Sequence, residues 1–417
     1  MPGLLFVGTE FGFYFSIDGG EAWTKLSSGM PTIAVRDMTI QEQKNDLVLA
    51  TFGRGFYILD NYSPLRELAM NKEILDRAWH IFPVADALMY IQTGGKYGQG
   101  SNFFTSKNPE FGATFTYYLK EVPKTLKAER KEKEKELFKE KKPIPQPSRE
   151  ELRMEEAEEP AQLIFTIYDD DGNAIRKLSK KASKGVNRIN WDLRYPSTRP
   201  ISASSGGSGR GGGSGGSSLL AMPGTYSVGI DMLEKGDVIA MVEPVTFEAK
   251  LLQHASLPAR DYQEVVAFQK EVSELSRVMT GAQRLAREQE EKLGAIKKAL
   301  AQTPEAGIEL GRKVFELEDL LSDIQFAMNG PSAKASWEEL PPMDMPLSRR
   351  LSAMTYTHWN STSELTKTET DQLEILREEF PPVLAQLQKV VEEIRELDAE
   401  LEDLKAPWTP GRVPVLN

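Results

Sequence analysis

Leu5-Phe6-Val7-Gly8-Thr9, followed by Gly12-Phe13-Tyr14-Phe15-Ser16-Ile17-Asp18, returns roughly 42 residues later. The second copy is Leu47-Val48-Leu49-Ala50-Thr51, then Gly55-Phe56-Tyr57-Ile58-Leu59-Asp60. Both copies alternate with period two and break at tight turns, as half-buried strands do. A repeat of about 40–45 residues built from short strands is the period of a β-propeller blade. Such a unit cannot bury both of its own faces and needs neighbours on either side. One blade and the start of another fit between Met1 and Leu68. The expectation is therefore the C-terminal part of something larger, with terminal blade or blades over residues 1–68.

Between the strands lies Ser16-Ile17-Asp18-Gly19-Gly20-Glu21-Ala22-Trp23, which matches the Asp-box pattern S-x-D-x-G-x-x-W. The chemistry of that pattern is local. Ser16 and Asp18 can bond turn backbone, Gly20 can take positive φ, and Trp23 is expected to pack beneath the turn. Ser16, Asp18, Gly20 and Trp23 are thus read as a hairpin clasp rather than as catalytic residues.

Residues 69–250 read as a β-sandwich of Ig type. Its strands include Gly112-Ala113-Thr114-Phe115-Thr116-Tyr117-Tyr118-Leu119, Leu163–Tyr168, Val186–Leu193 and Gly224–Ile230. A charged insert, 123–159, interrupts it. Nine Lys/Arg and five Glu fall between Lys124 and Lys142, then three prolines, then an acidic stretch from Glu150 to Glu159. This predicts a solvated helix and a flexible return between strands of one sheet. Asp169-Asp170-Asp171-Gly172-Asn173 reads as a turn, because Lys180 stands where a calcium loop of EF-hand type needs glutamate. The Gly/Ser loop 204–218 reads as a tether, either natural or an engineered replacement.

From Pro258 the period becomes helical. Alternating steps of three and four from Leu373 reach Leu376, Phe380, Val383, Leu387, Val390, Ile394, Leu397, Leu401 and Leu404, all apolar. Val265 begins a similar seam, and Leu310 a shorter one. Residues 251–405 are predicted to form an antiparallel three-helix bundle, with an intermolecular coiled coil as the alternative, and 406–417 a tail. Pro381-Pro382 is expected to kink the last helix without ending it. The Ser361-Thr362-Ser363 stretch is expected to cap it. The fold class is therefore multidomain β plus α.

Composition narrows the function. A net charge of −11 argues against a nucleic-acid surface. No apolar run nears the ~18 residues of a membrane span, and no signal peptide is visible at Met1-Pro2-Gly3-Leu4. The chain has no cysteine, which excludes disulfides, zinc–thiolate sites and thiol nucleophiles. His80, His254 and His358 have no ligand spacing, and no hydrolase, zinc-protease or phosphate-loop motif occurs. No catalytic, cofactor-binding or metal site is assigned, and no cofactor is expected.

Leu4–Gly12, the Asp box and Asn45–Gly55 resemble the last blades of the sortilin-type Asp-box (BNR) β-propeller family, in its large bacterial members labelled glycosyl hydrolase or sialidase-like. Asn108–Thr114, Gly185–Tyr195, Pro223–Tyr226 and Ala406–Gly411 resemble the same proteins in order and spacing. The resemblance implies an exported protein, extracellular or periplasmic, of interaction or assembly function. A protein partner would complete the propeller, and homo-oligomerisation through the helices is an option. The alternative it leaves open is the C-terminal portion of a sialidase-like glycoside hydrolase whose catalytic blades lie upstream. The Arg, Tyr/Glu and acid set of sialidases cannot be carried over to residues of this chain.

Overall fold

The computed structural model describes residues 3–90, 106, 108–201, 218–252, 257–358, 361–413 and 415. Among these are fourteen strands and seven α-helices. Their contacts divide the chain into two units, one of Met1–Tyr90, Gly94–Leu193 and Pro223–Leu252, the other of Ile91–Thr93, Arg194–Met222 and Gln253–Asn417. Both β regions fall in one unit, while Arg194–Met222 goes with the helices.

The β unit opens with two three-stranded antiparallel meanders. The first is β1 (Leu5–Thr9), β2 (Gly12–Ser16) and β3 (Thr24–Leu26). The second is β4 (Val35–Gln41), β5 (Asp46–Thr51) and β6 (Phe56–Leu59). The repeat survives as register. Phe6, Val7 and Gly8 pair with Phe15, Tyr14 and Phe13. Val48, Leu49 and Ala50 pair with Ile58, Tyr57 and Phe56 in the same order. The hairpin β1–β2 therefore corresponds to β5–β6, so the first meander has a strand after the repeated hairpin and the second a strand before it. The meanders share one core of Phe13, Met30, Val35, Leu47, Leu49 and Tyr62. Their approach is close: a Cβ on Gly8 would stand 2.8 Å from Val35 Cγ1 and 2.9 Å from its carbonyl oxygen.

After α1 (Ser63–Met70) two further sheets form. β7 (Trp79–Ile81), β9 (Ala113–Leu119) and β12 (Gly185–Trp191) make one, in the order β12-β9-β7. The other is built from β8 (Ala87–Met89), β10 (Gln162–Tyr168), β11 (Ala174–Lys181), β13 (Gly224–Glu234) and β14 (Asp237–Leu251), in the order β11-β10-β13-β14-β8. The two sheets stack through aromatic rings. Phe115 meets Phe165 and Phe247 at 6.5 and 5.3 Å between centroids, and Trp191 meets Tyr226 at 5.2 Å. Edge-on and offset contacts of this kind stabilise beyond the area they bury. Two separate sequence signatures meet here. Ala113 pairs with Trp191, while the Asn190 side chain donates to the Phe111 carbonyl (2.8 Å) and accepts from Thr114 Oγ1 (3.0 Å).

The charged insert differs from its expectation in two ways. It joins a strand of one sheet (β9) to a strand of the other (β10), not two strands of one sheet. It is also a helical hairpin, α2 (Leu126–Lys139) and α3 (Arg149–Ala157), rather than a helix with a flexible return. The acidic stretch is helical because Ser148 and Glu151 form a reciprocal capping box. Arg130 then clamps the pair, donating from Nε (2.5 Å) and Nη2 (2.8 Å) to Glu155 and from Nη1 to Glu134 (2.5 Å). Bidentate Arg–carboxylate geometry is the strong form of an ion pair.

The helical unit contains α4 (Tyr262–Leu300), α5 (Ile308–Asn329), α6 (Leu347–His358) and α7 (Lys367–Asp403). At 1.5 Å per residue α4 and α7 each run about 55–60 Å. The three expected rods are built from four helices. Gly330, at φ +70°, ends α5, and α6 resumes the same direction further along α7. Gln283 on α4 bonds Asn329 at the end of α5 (2.9 Å), whereas Phe268, one end of α4, touches His358 at the end of α6. The seam from Leu373 is buried in one core with those of α4 and α5 in the same chain. Pro381 and Pro382 lie inside α7, which runs unbroken through them. The N-cap of α7 is Thr366, not the Ser361–Ser363 stretch. Its side chain accepts from the Glu369 N–H, and Glu369 answers to the Thr366 N–H.

Candidate functional site

The turn after β2 closes on itself. Ser16 Oγ donates to Asp18 Oδ1 (2.6 Å) and accepts from the Gly20 N–H (2.9 Å), and Asp18 Oδ1 also accepts from the Ala22 N–H (3.0 Å). Gly20 sits at φ +101°, where a side chain would be strained. Hydrogen bonds from the Ala22 N–H, then from the Ser16 hydroxyl, hold the Asp18 carboxyl below its usual range. Such a carboxylate is committed to backbone and has little proton affinity to offer a substrate.

Trp23 differs from its expectation. Its ring edge lies over Gly20, 3.8 Å from where a Cβ would stand, yet the side chain is 44 % exposed. It rests on the turn instead of being sealed beneath it. Trp23→Ala is therefore expected to cost about 1 kcal/mol in thermal unfolding, well short of the ~3–5 kcal/mol of a core aromatic deletion.

The feature that stands out lies on the second meander. By register, Phe13 and Phe56 are the same residue of the repeat. Phe13 is fully buried against the second meander, while Phe56 is 75 % exposed. Ile58, the mate of Phe15, is 58 % exposed, and Phe52 at the end of β5 is 69 % exposed beneath the guanidinium of Arg36. Val48 and Ala50 share that outer face with Phe56 and Ile58, since residues opposite in an antiparallel ladder point the same way. Strand β6 is also a sheet edge among the described residues. On the first meander the relation inverts. Leu5 is 37 % exposed where its mate Leu47 is 2 % exposed.

The three histidines stay apart in role. His80 Nε2 meets Glu67 Oε1 at 2.9 Å and packs edge-on to Phe82. His254 lies outside the described residues, as does most of the Gly/Ser loop 204–218. His358 is buried in the bundle, its Nε2 3.3 Å from Glu369 Oε1. Burial works against ionisation of Glu369, but the His358 ring and the Thr366 donors outweigh it, so the carboxyl sits below its ordinary range. A carboxylate with a depressed folded pKa stabilises above its unfolded value and loses that contribution as pH falls through the folded one. Glu369→Gln should therefore lower the urea midpoint of the helical unit at pH 7. The gap to wild type should close below about pH 4.3, the unfolded value, in parallel urea titrations.

Asp169, of the acidic turn, spends its carboxylate on the Asn173 N–H (2.8 Å) and side-chain amide. No group of three or more His, Cys, Asp or Glu is placed to hold a metal among the described residues, and no described helix is long and apolar enough to cross a membrane. Comparison with protein-family models, with curated proteins and with solved structures finds no match for this chain.

Proposed function

We propose that this chain is a non-enzymatic interaction and assembly protein whose second meander receives a further sheet of the same repeat from another polypeptide. The observation that carries the reading is the unequal burial of repeat mates, Phe13 at 0 % and Phe56 at 75 % exposure. The first meander lays its Phe13 face on the Leu47–Leu49 face of the second. The same stacking rule applied once more requires a sheet with a Leu47–Leu49-like face on Phe56 and Ile58. Stacked repeats gain their stability from such neighbour interfaces, and an apolar patch beside an open strand edge is a docking surface for strands.

In this reading the meanders are parts of propeller blades, the sequence 16–23 is an Asp box of structural role, and the stacked sheets with buried Trp191 are an Ig-like module. An extracellular or periplasmic location belongs with the same family resemblance. The self-contained bonding of Asp18 favours the structural role over the hydrolase alternative.

The test places a photo-crosslinking phenylalanine analogue at position 56 in the native host. The expected product is a crosslink to a second polypeptide containing S-x-D-x-G-x-x-W repeats, lost when Ile58 is changed to Asp. A crosslink only to another copy of this chain, or none, overturns the proposal.

A further inference from the structure

Helix α5 is apolar on two opposite faces. Val314, Leu317, Leu321, Ile324 and Met328 are buried in the bundle core. Alternate steps of four and three from Ile308 pass through Arg312, Phe315, Asp319 and Ser322 to Phe326. At about 100° per residue this second line lies half a turn away from the core seam. Ile308 is 81 %, Phe315 61 % and Phe326 53 % exposed. Single exposed apolar residues are ordinary, and a bundle helix normally turns a polar face outward. Three large apolar residues on one line, over about 27 Å of helix, form instead the seam of a helix pair. The middle one is already held in place. Lys297 Nζ of α4 stands 5.2 Å from the Phe315 ring centroid and is itself fixed by Glu318 at 2.7 Å. A side chain held this way loses little freedom when a partner covers it.

The charges on this line select the occupant. Arg312, near the Ile308 end, meets only Glu309 of its own turn, and both side chains are strongly exposed. Asp319 and Asp323, toward the Phe326 end, pair with no cation among the described residues. The line is therefore cationic in its first half, anionic in its second, and apolar at both ends. A parallel copy would set Arg312 against Arg312 and Asp319 against Asp319. An antiparallel copy sets Ile308 against Phe326 and Arg312 against Ser322, between Asp319 and Asp323 of the other helix, with Phe315 beside the two-fold axis. Such a surface is complementary to itself, as a two-fold interface requires, and flanking charges fix the orientation of paired helices. We propose that α5 pairs with α5 of a second copy of this chain, antiparallel, along the line from Ile308 to Phe326.

Sedimentation equilibrium of the full chain tests this, with concentrations taken up to the order of 100 µM, where a small interface is populated. The wild type is expected to reach a dimer. Phe315→Asp should weaken it at least tenfold, with circular dichroism at 222 nm unchanged because the position is exposed. The second arm swaps charges. Arg312→Asp and Asp319→Arg, each alone, set like charges across the axis and should each weaken the dimer at least tenfold. The two together in one chain should restore it to within fivefold of wild type, a rescue that a loss of fold or a non-specific apolar contact would not give. A wild type that stays monomeric overturns the proposal. So does a dimer that Phe315→Asp leaves intact, which would place the contact on another face, or a double charge swap that fails to restore association.

Discussion

Leu387→Asp is expected to abolish the cooperative unfolding transition of the helical unit. Leu387 is fully buried on α7, within the core that joins α4, α5, α6 and α7. Deleting a buried leucine costs about 2–5 kcal/mol in transfer and cavity terms. An unpaired carboxylate in the same place adds several kcal/mol of desolvation or forces its protonation. The sum approaches the whole stability of an ordinary domain, about 5–15 kcal/mol. Far-UV circular dichroism at 222 nm should show a large loss of helix at 25 °C. A variant with wild-type helicity, folded and reduced from dimer to monomer in sedimentation, would mean that the seam joins two chains.

Gly112→Ala is expected to destabilise the stacked sheets by about 4 kcal/mol, in the far tail of single substitutions. Gly112 sits at φ +120°, and a Cβ there would lie 1.9 Å from the Trp191 carbonyl oxygen. Positive φ alone costs a non-glycine residue about 1–3 kcal/mol. The clash adds to it, because the obstacle is backbone of β12 and cannot rotate away. Relief would separate Ala113 from Trp191 in the ladder and shift an indole that is fully buried. Near-UV circular dichroism and urea unfolding measure the result. A midpoint within error of wild type would show that the turn relaxes freely.

How much of this was readable before folding depends on whether the signal is local. The hairpin repeat was legible because strand register follows from period two and turn placement, and Leu5–Thr9 and Leu47–Thr51 carry both. The helical seams were legible because every third or fourth residue from Leu373 is apolar. Exposure was not. Phe13 and Phe56 have equivalent local sequences, and only the presence or absence of a neighbouring sheet separates 0 % from 75 %. Trp23 failed for the same reason, since its cover would have to come from another element. The end of the second rod's first helix is legible in Gly330-Pro331, where α5 stops at Asn329, but that α6 resumes along the same rod is not, because direction after a break is set by packing. The Ser148–Glu151 capping box is present in the sequence as S-x-x-E, but the dense charge around it masks the helix it starts.

The proposed completion of the Phe56 face by a further sheet would slow exchange in β6. Amide hydrogen exchange of β6 measures this directly, comparing the protein isolated from its native host with the same chain expressed alone. The amides from Phe56 to Leu59 are expected to exchange at least tenfold more slowly in the native isolate, while the Leu47–Leu49 amides, buried in both, are unchanged. Equal exchange of β6 in the two preparations would contradict it.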